Sequence, residues 1–225
     1  MLHIYFIRHG QTDWNHIKRF QGQKDVPLNQ RGRQQAQATA RRLEGVSFDR
    51  AYVSDLSRAW ETAQIINVHH KLDPVRDDRL RERSFGCFEG YTLDETRQRF
   101  PDIREAYVKD QLHFRIPGGE SRFEFIQRVG AYFETLRQTH VDQTLLVVAH
   151  GGVLGALFSH IISQKLDFEA PRFVPLFSVA NCSISQLKYT NDRWLIESLN
   201  QTDHLANVSD IGLVEEEHIL NRKNP

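Results

Sequence analysis

Cysteine is scarce in this chain: Cys87 and Cys182 are its only two. They lie far apart and match no zinc-binding spacing, and a chain of this size needs no disulfide framework. An excess of charge of one sign is missing too. Lys plus Arg and Asp plus Glu each number 29, for a formal net charge of +0. That balance argues against a polyanion-binding domain, although local basic patches are compatible with it. No apolar run approaches the ~20 residues of a membrane span. The apolar start, Met1 to Arg8, is too short for a secretory leader and carries no cleavage-site pattern. There is no internal repeat and no low-complexity linker. A Gly-x-Gly-x-x-Gly after the first apolar run is absent, which sets aside a dinucleotide-binding domain, and neither His-Glu-x-x-His nor an Asp-rich metal spacing occurs. These absences leave a neutral globular protein, expected in the cytoplasm, with no nucleic-acid or membrane partner.

The 225 residues are 40% hydrophobic and 26% charged, the balance of an ordinary folded domain. A chain of this length buries roughly 70% of its unfolded surface and needs no staples. His3 to Ile7 is a short β-favouring run that reads as a buried strand, and so are Ala51 to Val53 and Thr144 to Ala149. Between them, Arg31 to Glu44 and Ser57 to Val68 have helical spacing. Ser121 to Gln138 is the clearest helix, with Ile126, Val129, Phe133 and Leu136 on one stripe and a Ser121–Glu124 capping box. Val153, Leu154, Leu157 and Ile161 make a further helical stripe. Ser178 to Tyr189 and Arg193 to Leu199 read as strands joined by a turn at Thr190-Asn191-Asp192.

Alternation of strand and helix predicts an α/β fold: a three-layer α/β/α sandwich with a mostly parallel central sheet and helices on both faces. Residues 85–119 break the rhythm and read as a small lid insertion over one edge of the sheet. The predicted division is a domain over 1–205, with the lid within it, and a C-terminal tail over 206–225.

Two buried strands end in the same dipeptide, His9-Gly10 and His150-Gly151. In open α/β sheets the ligand crevice lies at the carboxyl ends of the strands, so both histidines should face one crevice. Arg8 precedes the first histidine, and Arg58 opens the helix after the second strand. Two arginines and two histidines converging there suit a tetrahedral oxyanion, which a guanidinium fork binds in bidentate fashion. Either arginine alone would read as an ordinary salt-bridge partner; together the four point to phosphate.

The motifs themselves resemble the histidine phosphatase superfamily, the phosphoglycerate-mutase-like enzymes. The similarity runs through Arg8-His9-Gly10-Gln11-Thr12 with Asn15, Arg19-Phe20-Gln21-Gly22, Pro27-Leu28, Arg31-Gly32 and Ser54-Asp55-Leu56-Ser57-Arg58-Ala59. It continues in Arg81-Glu82-Arg83-Ser84-Phe85-Gly86, Glu89-Gly90, Gly118-Gly119-Glu120-Ser121 and His150-Gly151. The ordered set spans about residues 3–200. Two positions depart from the family pattern, Asn29 where threonine is common and Phe88 where tryptophan is common; neither is a catalytic position.

The resemblance implies that His9 is the nucleophile and becomes a phosphohistidine. Neutral imidazole is abundant near pH 7 and suits the task. It implies that Arg8, Arg58 and His150 hold the equatorial oxygens of the transition state, with Asn15, Gln21, Gly22 and the backbone at Gly151 assisting. Glu82 matches the acid/base position. No metal and no other cofactor is implied, because side chains supply the positive charge. The expected partner is a small phosphorylated metabolite, with phosphate as product, and a homodimer is left open.

Ser84-Phe85-Gly86-Cys87-Phe88-Glu89-Gly90 resembles the phosphatase branch more than the mutases, which favour Tyr-Gly after the acid motif and a lysine-containing stretch beyond. The expected reaction is therefore hydrolysis of a small phosphomonoester. A cofactor-dependent phosphoglycerate mutase is the alternative, and a non-catalytic phospho-ligand-binding module ranks below both because His9, Arg58, Glu82 and His150 are all present. Should His113 or Arg115 face the pocket, a carboxylated substrate such as a phospho-hydroxyacid or phosphoserine is compatible, and a broad-specificity phosphatase is equally so.

Overall fold

A computed structural model describes residues 1–166 and 179–208. Its six strands are β1 (Leu2–Arg8), β2 (Arg50–Ser54), β3 (Val75–Asp77), β4 (Gln143–Ala149), β5 (Ile184–Thr190) and β6 (Arg193–Gln201). They form one sheet in the order β3-β2-β4-β1-β5-β6. The β1–β4, β2–β4 and β2–β3 pairs are parallel, whereas β5 and β6 are antiparallel additions at one side.

The seven helices among the described residues are α1 (Asp13–His16), α2 (Gln30–Leu43), α3 (Ser57–Asn67), α4 (Leu93–Arg99), α5 (Pro101–Lys109), α6 (Arg122–Thr139) and α7 (Gly151–Leu166). Alternation along β4 explains the layering. Leu145, Val147 and Ala149 turn to one face, where Val129, Phe133, Val153 and Leu157 of α6 and α7 cover them. Leu146 and Val148 turn to the other, under Ala40 and Leu43 of α2 and Ala59, Ala63 and Ile66 of α3. Burial on both faces is why β4 reads as a continuous apolar run. The expected three-layer α/β/α sandwich is the fold. Among the described residues no helix is long and apolar enough to cross a membrane.

Local signals act where expected. The Ser121–Glu124 capping box opens α6, and Asn29 caps α2 through its side-chain bond to the Gly32 amide at 2.9 Å. The departure from threonine there keeps the cap, since both side chains offer the needed acceptor. The chain leaving β1 meets the first turn of α2 backbone to backbone. A Cβ at Gly32 would stand 2.1 Å from the Gln11 carbonyl oxygen, so only glycine fits.

Two expectations change. Strand β5 begins at Ile184, not near Ser178, which lies outside the described residues, as does the expected tail from residue 209 on. Residues 179–183 instead turn under the end of β1, with Cys182 at φ +58° and its amide donating to the Arg8 carbonyl at 2.9 Å. The 85–119 stretch also does not flank a sheet edge. Its partner is the segment after β1, an interior strand: the Phe20 amide donates to Tyr91 O at 2.9 Å and the Gly90 amide to Phe20 O at 2.8 Å. Phe88, Tyr107 and Ile116 form a small core of their own there with Phe20, Phe85 and Phe100. The stretch thus roofs the carboxyl ends of the central strands.

Candidate active site

Parallel pairing sets Arg8 opposite Ala149, and the His9 amide donates to the Ala149 carbonyl at 2.9 Å. The two His-Gly exits are therefore neighbours, with ring centroids 5.0 Å apart and planes at 62°. His9 Nδ1 lies 2.7 Å from the Gly10 carbonyl oxygen. A carbonyl only accepts, so Nδ1 carries the hydrogen and Nε2 keeps its lone pair. The backbone around the ring is pinned from both sides: the Gly10 amide donates to Thr62 Oγ1 at 3.0 Å, and Asn181 Nδ2 donates to the His9 carbonyl at 2.9 Å. His150, fully buried, bonds Ser54 Oγ through Nε2 at 2.9 Å.

Burial, then the charge of Arg58, then that of Arg8 push the His9 pKa well below the usual imidazole value. His150 is lowered for the same reasons, with burial first and Arg58 next. Both rings are therefore neutral at physiological pH. Arg58 is itself fully buried and is drawn down to about 10 by that burial, so it stays charged at neutral pH. Its Nη1 donates to Lys24 O at 2.9 Å and its Nη2 to Gly22 O at 2.8 Å, while Nε has no hydrogen-bond partner among the described residues. Arg8, also buried, is tied by Nη1 to the Val179 carbonyl.

Glu82 approaches from the stretch between β3 and the lid. Its Oε1 accepts from the Arg83 amide at 2.8 Å and its Oε2 from the Gly152 amide at 3.1 Å. The second contact brings the carboxylate to the N-terminus of α7, where Gly151 also lies and where the helix dipole favours an anion. A Cβ at Gly152 would sit 2.1 Å from Glu82 Oε1. Gly152→Ala should therefore displace this carboxylate, the far end of a side chain that can move, while leaving the helix sound. We expect kcat/KM to fall by about tenfold or more with a thermal midpoint within a few degrees, checked by paired kinetics and melts.

Arg8, His9, Asn15, Gln21, Gly22, Arg58, Glu82 and Gly151 all line one cavity of about 130 Å³, and His150 stands behind His9. Thr12, fully buried, ties two lining residues together: its hydroxyl lies 3.0 Å from Gln21 Oε1 and 3.1 Å from Asn15 Oδ1, with one hydrogen to donate to either. Glu82 is the sole carboxylate among the described lining residues, against Lys18, Arg19, Arg83, Arg104 and Arg122 in addition to Arg8 and Arg58.

His113 and Arg115 do not line the cavity. The His113 ring rests on Phe123 at 5.2 Å, and Arg115 pairs outside with Glu124. Beyond Arg8 and Arg58, the buried cations that line the pocket are Arg83, which is 3% exposed, and Arg104; Arg83 is the nearer to Glu82 in the chain. Its Nε donates to Glu120 O and its Nη1 to Tyr107 OH, both at 3.2 Å; Nη2 has no partner among the described residues. The sequence motif around Glu82 includes Arg83 but assigns it no role, because nothing local shows which way its side chain faces. Ser54, Thr62 and Asn181 carry no signal of their own either, since only tertiary contact reveals them.

A pinned neutral imidazole, two buried guanidiniums and a carboxylate at a helix N-terminus suit a tetrahedral oxyanion such as phosphate. Residues 4–202 match the histidine phosphatase superfamily (branch 1), and the chain belongs to that family of enzymes. It is 37% identical over 210 residues to the Escherichia coli O1:K1 / APEC protein named "Probable phosphoglycerate mutase GpmB", covering 91% of this chain and 95% of that one. Among solved structures it is similar to the alpha-ribazole phosphatase of Shigella flexneri, with 28% identity, a TM-score of 0.78, and 88% and 96% of the two chains covered. It is also similar to the mycobacterial glucosyl-3-phosphoglycerate phosphatase in complex with VO3, with 32% identity, a TM-score of 0.74, and 88% and 98% covered. A third likeness is the phosphoserine phosphatase of Entamoeba histolytica in complex with 3-phosphoglyceric acid, with 27% identity, a TM-score of 0.76, and 91% and 100% covered.

Proposed function

We propose that the protein is a metal-independent phosphatase that hydrolyses a small phosphomonoester through a phosphohistidine on His9. The observation that carries this reading is the His9 ring itself, held by Nδ1 on the Gly10 carbonyl so that Nε2 keeps its lone pair, in a cavity that Arg8 and Arg58 also line. In the first half-reaction the Nε2 lone pair forms a bond to phosphorus, the ester P–O bond breaks, and Glu82 gives its proton to the departing alkoxide. Water then attacks phosphorus, Glu82 takes a proton from it, the N–P bond breaks and phosphate leaves. Arg8, Arg58 and His150, with Asn15, Gln21, Gly22 and the α7 N-terminus at Gly151, bind the phosphoryl oxygens as charge redistributes. One preorganised donor of this kind contributes on the order of 3 kcal/mol.

Arg83 supports a finer reading, a substrate with a second anionic group such as a carboxylate. A buried guanidinium with one N–H pair unmet is costly unless an anion joins it, and among the described residues the cavity wall has no carboxylate but Glu82. Two of the similar structures are named for, or hold, phosphoglycerate-type compounds.

Transfer back to a bound phosphoglycerate is the second reading, favoured by the 37% identity to a protein named a phosphoglycerate mutase. The deciding experiment supplies 3-phosphoglycerate with 2,3-bisphosphoglycerate and follows 2-phosphoglycerate against free phosphate, alongside a panel of phosphomonoesters. Hydrolysis predicts phosphate release as the main flux. Isomer formation running about a hundredfold ahead of phosphate, a difference near 2.7 kcal/mol in barrier, would overturn it.

A further inference from the structure

Glu82 lies in the irregular stretch between β3 and the lid, and its neighbours in sequence supply no sheet ladder or long helix to hold it. Two side chains from elsewhere in the chain do: Gln23 Nε2 donates to the Glu82 carbonyl at 3.2 Å, and Arg128 reaches along more of the stretch. Arg128, on the long helix α6, donates from Nη1 to the carbonyls of Arg79 at 2.7 Å and Arg81 at 3.1 Å, and from Nη2 to that of Glu82 at 3.4 Å. The same guanidinium pairs with the Glu120 carboxylate, Nη2 to Oε1 at 2.7 Å and Nε to Oε2 at 3.3 Å. Glu120 completes a loop of contacts by accepting the Ser84 amide on Oε1 at 2.9 Å while its own amide donates to Ser84 O at 3.1 Å. The backbone is thus held at positions 79, 81, 82 and 84, on either side of Glu82, by one ion pair.

The pair is mostly shielded, with side-chain exposures of 23% for Arg128 and 17% for Glu120. It is anchored by α6, whose Val129, Phe133 and Leu136 pack into the main core. A planar fork with five donors is suited to such a task; an ammonium on a flexible stem cannot span three carbonyls and a carboxylate at once.

We propose that Arg128 and Glu120 are positioning residues that set the Glu82 carboxyl for proton transfer. The inference rests on the reading of Glu82 as proton donor and acceptor. A merely stabilising ion pair would lower the melting temperature and affect every substrate alike. A positioning pair should matter in proportion to how much the leaving group needs its proton.

The test compares kcat/KM, which reports the steps through phosphoryl transfer to the enzyme, for p-nitrophenyl phosphate and for an alkyl monoester such as 3-phosphoglycerate. Arg128→Gln and Glu120→Gln should each cost about tenfold or more on the alkyl ester and less than about threefold on the aryl ester, since general-acid assistance is lost mainly where it is needed. Inhibition by inorganic phosphate should be unchanged, because Arg8 and Arg58 are untouched. Arg128→Lys should recover little. In a Glu82→Gln background, adding Arg128→Gln should cost less than about twofold, as expected for residues acting through one another.

Equal losses on both substrates, or the full cost repeated in the Glu82→Gln background, would overturn the proposal. If Arg128→Gln does not fold, Glu120→Gln carries the same comparison, for it keeps an amide oxygen to accept the Ser84 N–H. If Glu82→Gln itself treats the two substrates alike, the reading of Glu82 falls and this inference with it. If Glu82→Gln discriminates and the α6 variants do not, the positioning role alone is refuted.

Discussion

A His9→Ala protein should fold and lose essentially all turnover, on the order of 10⁴-fold or more, because removal of a nucleophile acting in concert with other groups is among the costliest single changes an enzyme can suffer. The ring is buried, yet it packs against polar groups and two cations and not within either large apolar cluster. Its loss therefore removes chemistry more than core. Acid-quench experiments should divide the two proteins in the same way. The parent chain should trap phosphate in an alkali-stable, acid-labile form during turnover, as an N–P bond requires, and His9→Ala should trap none. A folded variant that still releases phosphate at more than about a hundredth of the parent rate would remove the covalent route.

The same residue sets a pH signature. Burial, with Arg58 and Arg8 behind it, holds His9 well below its ordinary 6.5, and His150 is lowered by burial, Arg58 and the rest of the cluster. In the unfolded chain both would bind a proton near 6.5. Below that pH the unfolded state holds more protons than the folded one, so stability is full above 6.5 and declines as pH falls through the window beneath it. His9→Ala should lose less stability over that window than the parent, which melts recorded from pH 7 to pH 5 would reveal. The acid limb of kcat/KM should likewise lie below 6.5, since the nucleophile is already neutral there.

How far the sequence carried these conclusions depends on the range of the interaction concerned. β1, β4, α2 and α6 were legible because each has a one-dimensional pattern, a continuous apolar run or a 3–4 stripe, and a local start signal. β3 was not, since Val75-Arg76-Asp77 has no periodicity and becomes a strand only by pairing with β2. Residues 179–183 alternate like a strand, yet Cys182 donates its amide to the Arg8 and His9 carbonyls and turns the chain there. Tertiary bonds to the end of β1 outweigh local propensity at that point.

The site divides along the same line. The two His-Gly exits were readable because each closes a strand, and parallel strands deliver their ends to one crevice. The lid was misplaced because nothing in residues 85–119 names Phe20 as its partner. Arg128 could not have been found: it is one of three arginines on α6, distinguished by three carbonyls contributed from far away in the chain and by its pairing with Glu120.

Glu82→Gln should have the second largest effect, and its dependence on the leaving group is what identifies the residue's task. The substitution preserves size but leaves one oxygen where two now accept the Arg83 and Gly152 amides, and it removes the transferable proton. For an alkyl ester the departing alkoxide is strongly basic, so loss of general-acid help should lower kcat/KM by about 10² to 10⁴. The p-nitrophenolate ion leaves without a proton, and its kcat/KM should fall by about tenfold or less. The second half-reaction still needs Glu82 to take a proton from water, whatever the first substrate was. With p-nitrophenyl phosphate the variant should therefore release a burst of one equivalent of p-nitrophenolate and then turn over slowly, with phosphate resting on His9. Rapid mixing with absorbance detection measures both phases. A variant with no burst, and with equal losses of kcat/KM on the two esters, would mean that Glu82 holds the site's charge balance and moves no proton. The burst also bears on the fate of the phosphoryl group: if adding 3-phosphoglycerate discharges the resting phosphoenzyme far faster than water does, transfer to a second metabolite is the natural reaction of this cavity, and if it does not, hydrolysis is.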